Sequence, residues 1–153
     1  MIVPDINLLL YAYDSDSPFH GKATAWWQAC LSGDDLVIMP EVVVFGFLRV
    51  STSARAFRHP MTAEEAATHV KSWLEQPVVK IPESAPDHVE RVLGLLMDLG
   101  TAGNLVTDAQ IAAVAFEHDA VVHTADADFI RFAGLRWLNP LTGAGPAPAR
   151  RHR

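Results

Sequence analysis

The chain has 153 residues, half of them hydrophobic, with 18 acids against 12 Lys and Arg and a formal net charge of −6. That size fits one domain with a sizeable core and excludes wholesale disorder. One cysteine, Cys30, excludes an internal disulfide framework and a cysteine-built zinc cluster, as expected of a protein working in a reducing cytoplasm. No uncharged run approaches the ~18–20 apolar residues of a membrane span. Asp5 and Asn7 interrupt the first apolar run, so no signal peptide and no membrane partner are expected. The acid excess disfavours a simple nucleic-acid binder, because phosphate neutralisation needs Lys and Arg.

Met1–Pro4 reads as a first strand with Asp5 at its carboxyl end. Ile6–Tyr13 reads as a helix packed on the sheet. Asp14–Pro18 is a break, and Ser17-Pro18 predicts the next helix start, with Ser17 as N-cap and Pro18 at the first position. That helix runs to about Leu31 on a stripe of Ala23, Trp26, Trp27 and Cys30, and Gly33 ends it. Leu36–Met39 is a second strand. Pro40 opens a helix over Glu41–Thr52 that is apolar around most of its circumference and should be largely buried. Arg55–Pro60 is a basic loop.

Thr62-Ala63-Glu64-Glu65 is a capping box that starts a helix ending near Gln76-Pro77. Val78–Ile81 is a third strand. Ser84–Leu99 predicts a helix with Val89, Val92, Leu93, Leu96 and Met97 inward. Gly100–Gly103 is a turn. Thr107-Asp108-Ala109-Gln110 is a second capping box, with Thr107 as N-cap, opening a helix to about His118. Ala120–Thr124 is a fourth strand, Phe129–Phe132 one helical turn, and Arg136–Leu138 a short edge strand. Residues 142–153, rich in Gly and Pro and ending in Arg150, Arg151, His152 and Arg153, form a basic tail expected to be disordered. Strands alternating with helices predict an α/β domain over residues 1–141, three layers with a central parallel sheet.

In such sheets ligands bind beyond the carboxyl ends of the strands. Asp5 and Asp126 both follow apolar strands there, and Asp108 begins the helix leading into the second of those strands. Each acid has a plain structural role open to it: turn residue for Asp5, helix-dipole partner for Asp108, loop solvation for Asp126 and Asp128. Together they point to a cation, because clustered carboxylates repel and need an ion or a proton. Oxygen ligands select hard ions, Mg²⁺ or Mn²⁺, and such sites serve phosphoryl chemistry.

The order and spacing of these segments carry a resemblance over Met1 to about Leu141. Asp5-x-Asn7 follows the first strand, and Gly103-Asn104-Leu105-Val106-Thr107-Asp108-Ala109 precedes an Ala-rich helix. Thr124-x-Asp126-x-Asp128-Phe129 and Phe132-Ala133-Gly134-Leu135-Arg136-Trp137 close the chain. It resembles the PIN domain, and within it the VapC-type toxins of bacterial toxin–antitoxin pairs. The resemblance implies a Mg²⁺- or Mn²⁺-dependent endoribonuclease acting on RNA, restrained by a cognate VapB-type antitoxin and usually a homodimer. It implies Asp5, Asp108 and Asp126 as catalytic metal ligands, with Asn7 and Thr124 supporting them and Asp128 beside them.

One position departs from that pattern. Many relatives carry Glu before a Phe-Leu-Arg segment, where this chain has Gly46. Glu41, the acid on the same helix, is the candidate replacement ligand; its other role is charge–dipole stabilisation of the helix start. Arg49 on this helix reads as one half of a structural ion pair. The tryptophans and His118 and His123 read as packing residues. Arg55, Arg58 and the tail arginines are the candidates for RNA backbone contact.

Three other functions compete. A catalytically silent module of this fold would bind antitoxin or RNA without turnover. A phospho-acceptor receiver domain needs a Lys near the last strand, and Lys22, Lys71 and Lys80 all lie earlier. A flap-type nuclease needs helical insertions that this chain lacks room for.

Overall fold

A computed structural model describes residues 1–146. Five short parallel strands form one sheet: β1 (Ile2–Pro4), β2 (Val37–Ile38), β3 (Val79–Lys80), β4 (Val121–His123) and β5 (Trp137–Leu138), in the order β3-β2-β1-β4-β5. The central strand is the first in sequence. Ile2, Val3 and Pro4 pair with Val121, Val122 and His123, and Ile2 pairs with Val37 on the other side. All three β1 side chains are buried. A continuous apolar run of this kind suits a parallel strand covered on both faces.

Six helices flank the sheet: α1 (Ile6–Tyr13), α2 (His20–Ser32), α3 (Glu41–Ser51), α4 (Ala63–Leu74), α5 (His88–Leu99) and α6 (Val106–Glu117). The α/β expectation holds, and so do the approximate positions of all the elements. The aromatic part of the core joins α1, α2, α3 and α4. Trp73 is fully buried there, its Nε1 donating to the Tyr13 hydroxyl at 2.6 Å, with Trp27 and Phe47 packed edge-on against it. No helix among the described residues is long and apolar enough to cross a membrane.

Four local expectations are corrected. Ser17 does not cap α2, which begins at His20; Ser17 Oγ accepts from Phe19 N–H at 3.1 Å and closes a turn ahead of the helix. Thr107 does not cap α6 either. A 3₁₀ turn at Gly103–Leu105 runs straight into Val106, so Thr107 already lies inside the helix. By contrast, Thr62 does cap α4, its Oγ1 accepting from Glu65 N–H at 3.1 Å.

The third correction concerns α5. Val89, Leu93 and Met97, spaced four residues apart along one face, point outward at 64%, 53% and 79% exposure. Val92, Leu95, Leu96 and Leu99 are the side chains that rest on the core. The fourth concerns α3, which is less buried than its composition suggests. Val43, Val44 and Phe47 are inside, but Phe45 and Arg49 are exposed. Arg49 makes no ion pair among the described residues.

The chain closes on a turn where Asn139 N–H donates to the Ala144 carbonyl at 2.7 Å. The basic residues of the tail, Arg150 to Arg153, lie outside the described residues.

Candidate active site

The strand order reverses between β1 and β4. From β1 the chain moves outward to β2 and β3, then crosses back to β4 and β5. A crevice opens at such a switch point, beyond the carboxyl ends of the two strands. Asp5 follows β1 and Asp126 lies just past β4. Helix α6 packs on both strands and presents Asp108 in its first turn at the same edge.

Hydrogen bonds lock these acids in sequence. Asp5 N–H donates to the His123 carbonyl at 2.9 Å, extending the β1–β4 pairing by one step. The buried Thr124 hydroxyl donates to Asp5 Oδ2 at 2.8 Å and accepts from Asp126 N–H at 2.9 Å. Asp126 Oδ1 in turn accepts from Asp128 N–H at 2.8 Å, capping the 3₁₀ turn Ala127–Arg131. Thr124 therefore couples the ends of the two central strands through a single oxygen.

One carboxylate oxygen each from Asp108, Asp126 and Asp128 can lie within 4.8 Å of the others. Asp5 sits behind them, only 3% exposed. Burial pushes its carboxyl up to about 6; the Thr124 hydrogen bond offsets part of the rise, and the Asp126 charge adds to it. Asp108 is pushed up to about 7, first by burial and then by the charges of Asp5, Asp126 and Asp128. Carboxyls this close to neutrality mark a site lacking compensating positive charge. The donors are all oxygens, a set that fits a hard divalent cation.

Asp128, expected only beside the metal ligands, stands in the group. Its signal was the Asp-x-Asp spacing, which a 3₁₀ turn folds into one cluster. Glu41 lies outside the group. It is exposed in the first turn of α3 and lines a cleft with Glu83, His88, Gln110 and Glu117. Asn7 is exposed in the first turn of α1. His123 is a packed, neutral ring: burial pushes it down to about 4, and Trp26 Nε1 donates to its Nδ1 at 2.9 Å.

The sequence profile of the PIN domain matches residues 2–135. The chain belongs to the PIN domain family. Within it, ribonuclease VapC33 of Mycobacterium tuberculosis is 47% identical over 141 residues, 92% of this chain and 99% of that one. Its fold is similar to the crystal structure of VapC20 of M. tuberculosis, a sarcin–ricin loop cleaving toxin, with a TM-score of 0.68 at 20% identity over 88% of this chain and 96% of that one. It is also similar to VapBC2 of Rickettsia felis bound to a DNA fragment from its promoter, with a TM-score of 0.63 at 18% identity over 90% and 97%.

Seen as a PIN domain, the chain has a local reason for Gly46. A Cβ there would overlap Ile6 Cδ1. Ile6 directly follows Asp5 and is buried against α3. The glycine thus lets the residue behind Asp5 press on the helix, and any longer side chain at 46, glutamate included, requires Ile6 to move. The Gly46–Ile6 contact uses the space in which a glutamate stem would have to start.

Proposed function

We propose that this PIN domain is a divalent-metal-dependent endoribonuclease, the toxin half of a VapBC-type pair working in the cytoplasm. The observation that carries it is the acidic group at the β1–β4 switch point, with two carboxyls, Asp5 and Asp108, raised toward neutrality first by burial and then by neighbouring carboxylates. The ribonuclease names of its relatives support the same reading.

Asp108 and Asp126, with Asp128 beside them and Asp5 behind, would hold Mg²⁺ or Mn²⁺. When bound, such an ion supplies Lewis-acid stabilisation for phosphodiester hydrolysis. Thr124 holds the Asp5 carboxylate directly and the Asp126 backbone, while the Asp126 carboxylate is held by Asp128 N–H. Asn7, exposed in the first turn of α1, is the candidate supporting residue beside Asp5, and Glu41 a candidate outer ligand on α3.

Partners follow from the same reading: an RNA substrate, a cognate VapB-type antitoxin, and a second copy of the chain. The exposed row Val89, Leu93 and Met97 supports the homodimer, since this much apolar surface along one helix is costly to leave in water.

Cleavage of total RNA by the antitoxin-free protein tests the activity, with Mg²⁺, with Mn²⁺ and with a chelator. Discrete fragments that require the ion are expected. A second reading, a binding module without turnover, is favoured by Gly46, which packs on Ile6 and offers no carboxylate to the site. Metal binding without cleavage under any of these conditions would select it.

A further inference from the structure

We propose that the groove between α3 and the start of α6 seats one nucleotide of the RNA strand beside the acidic group, with Phe45 as its stacking surface and Arg49 as its phosphate contact. This rests on the ribonuclease reading above. The groove is lined by Val42, Phe45, Gly46, Arg49 and Thr107, and its volume of about 440 Å³ is in the range of small-ligand sites. Thr107 is the residue before Asp108, so the groove runs beside the first turn of α6, the turn that carries Asp108.

Phe45 has no folding role that explains it. At 60% exposure it is the most exposed aromatic among the described residues, on a helix whose other face is core. Unstacked bases pack on such rings irrespective of sequence. Arg49 stands one helical turn further on, exposed and without an ion pair among the described residues. It also lines a second cleft, with Val50, Ser53, Arg55 and Ala56. The two clefts share Arg49, and neither is lined by an acid.

The opposite side of Phe45 differs. There the lining includes Glu41, Glu83 and Glu117. A polyanion is repelled on that side and attracted on the other. The strand is therefore directed from the acidic group over Phe45 toward Arg49 and Arg55. In a chain of net charge −6, this basic track answers how RNA is held at all.

Fluorescence anisotropy of a labelled single-stranded RNA tests it, on the full chain carrying Asp108→Asn and Mg²⁺, so that the probe survives. Adding Phe45→Leu should weaken binding roughly 10-fold, and Phe45→Trp should restore it. Arg49→Ala should weaken binding and lower the salt slope by about one. With Asp108 intact, Phe45→Leu should raise KM and leave kcat nearly unchanged.

Unchanged affinity in both Phe45→Leu and Arg49→Ala would overturn the proposal. So would a Phe45→Leu protein that loses self-association in sedimentation while binding RNA normally, because a second copy would then cover the groove. A parent chain that binds no RNA would overturn it as well. A parent that binds RNA in a Phe45-dependent way but never cleaves would sink the nuclease reading alone and leave the groove standing.

Discussion

Helices α5 and α6 are neighbours of equal length, and they dispose of their apolar side chains in opposite ways. In α6, Ala109, Ile111, Ala112, Ala113, Val114 and Ala115 are all buried. In α5 no residue is fully buried. Yet α5 has the stronger two-faced pattern and α6 is apolar nearly all round. Helical periodicity reports how many faces a helix has; it does not say which one faces in. Here α5 rests its half-buried leucines on the core and turns Val89, Leu93 and Met97 to solvent. Helix α6 is the inner helix, and its alanines let it lie close to β1 and β4 with Asp108 at their edge.

The largest expected effect belongs to α6. Asp108→Asn should reduce cleavage by more than about 100-fold, since the charge-stabilising groups of a site commonly carry that much. Circular dichroism should show the fold intact. Full activity in the variant would remove Asp108 from the chemistry and, with it, the reason for α6 to be the inner helix.

Next comes packing. Ala112 is 0% exposed, so Ala112→Leu should cost about 1–3 kcal/mol by overfilling a packed interior. Denaturant melts would read this directly. A cost near zero would mean that α6 sits as loosely as α5.

The acid cluster gives a smaller effect with a defined sign. Asp5 and Asp108 titrate near 6 and 7 in the folded chain, against an ordinary value of 3.8. Above pH 3.8 the unfolded chain has released protons that the folded chain still holds, so raising pH favours unfolding. The metal-free protein should lose stability from about pH 4 up through about pH 7. Divalent metal should restore it at pH 8, and Asp108→Asn should flatten the curve. A metal-free protein that gains stability over that window would refute the assignment of protonated carboxyls.

The smallest effect should be Met97→Ala in α5, within about 0.5 kcal/mol, as for surface positions generally. Its measurable consequence should be in self-association, followed by size-exclusion light scattering. A large loss of monomer stability would place Met97 in the core after all.

The sheet and its order of elements were legible because β1, β2 and β4 are apolar runs bounded by turn residues, and Asp5 and Asp126 were legible because they end such runs. The caps at Ser17 and Thr107 were misread. Each has the right residue type, but a turn in one case and a 3₁₀ lead-in in the other had already taken the helix start. The outward face of α5 was hidden because a single chain's pattern does not separate a core face from a surface held for another molecule. Asp128 joined the cluster through a 3₁₀ turn, and Arg49 lacks the ion pair expected of it because it is exposed on α3 and lines two clefts without acids.

The Thr124 hydrogen bond joins residues 119 positions apart. β1 is made first and waits for β4, which is made near the end. Throughout most of translation Asp5 has no partner, and neither Asp108 nor Asp126 exists beside it. The two halves of the site therefore meet only after β4 has been made, and the site is assembled late, once the chain between these strands is free to fold.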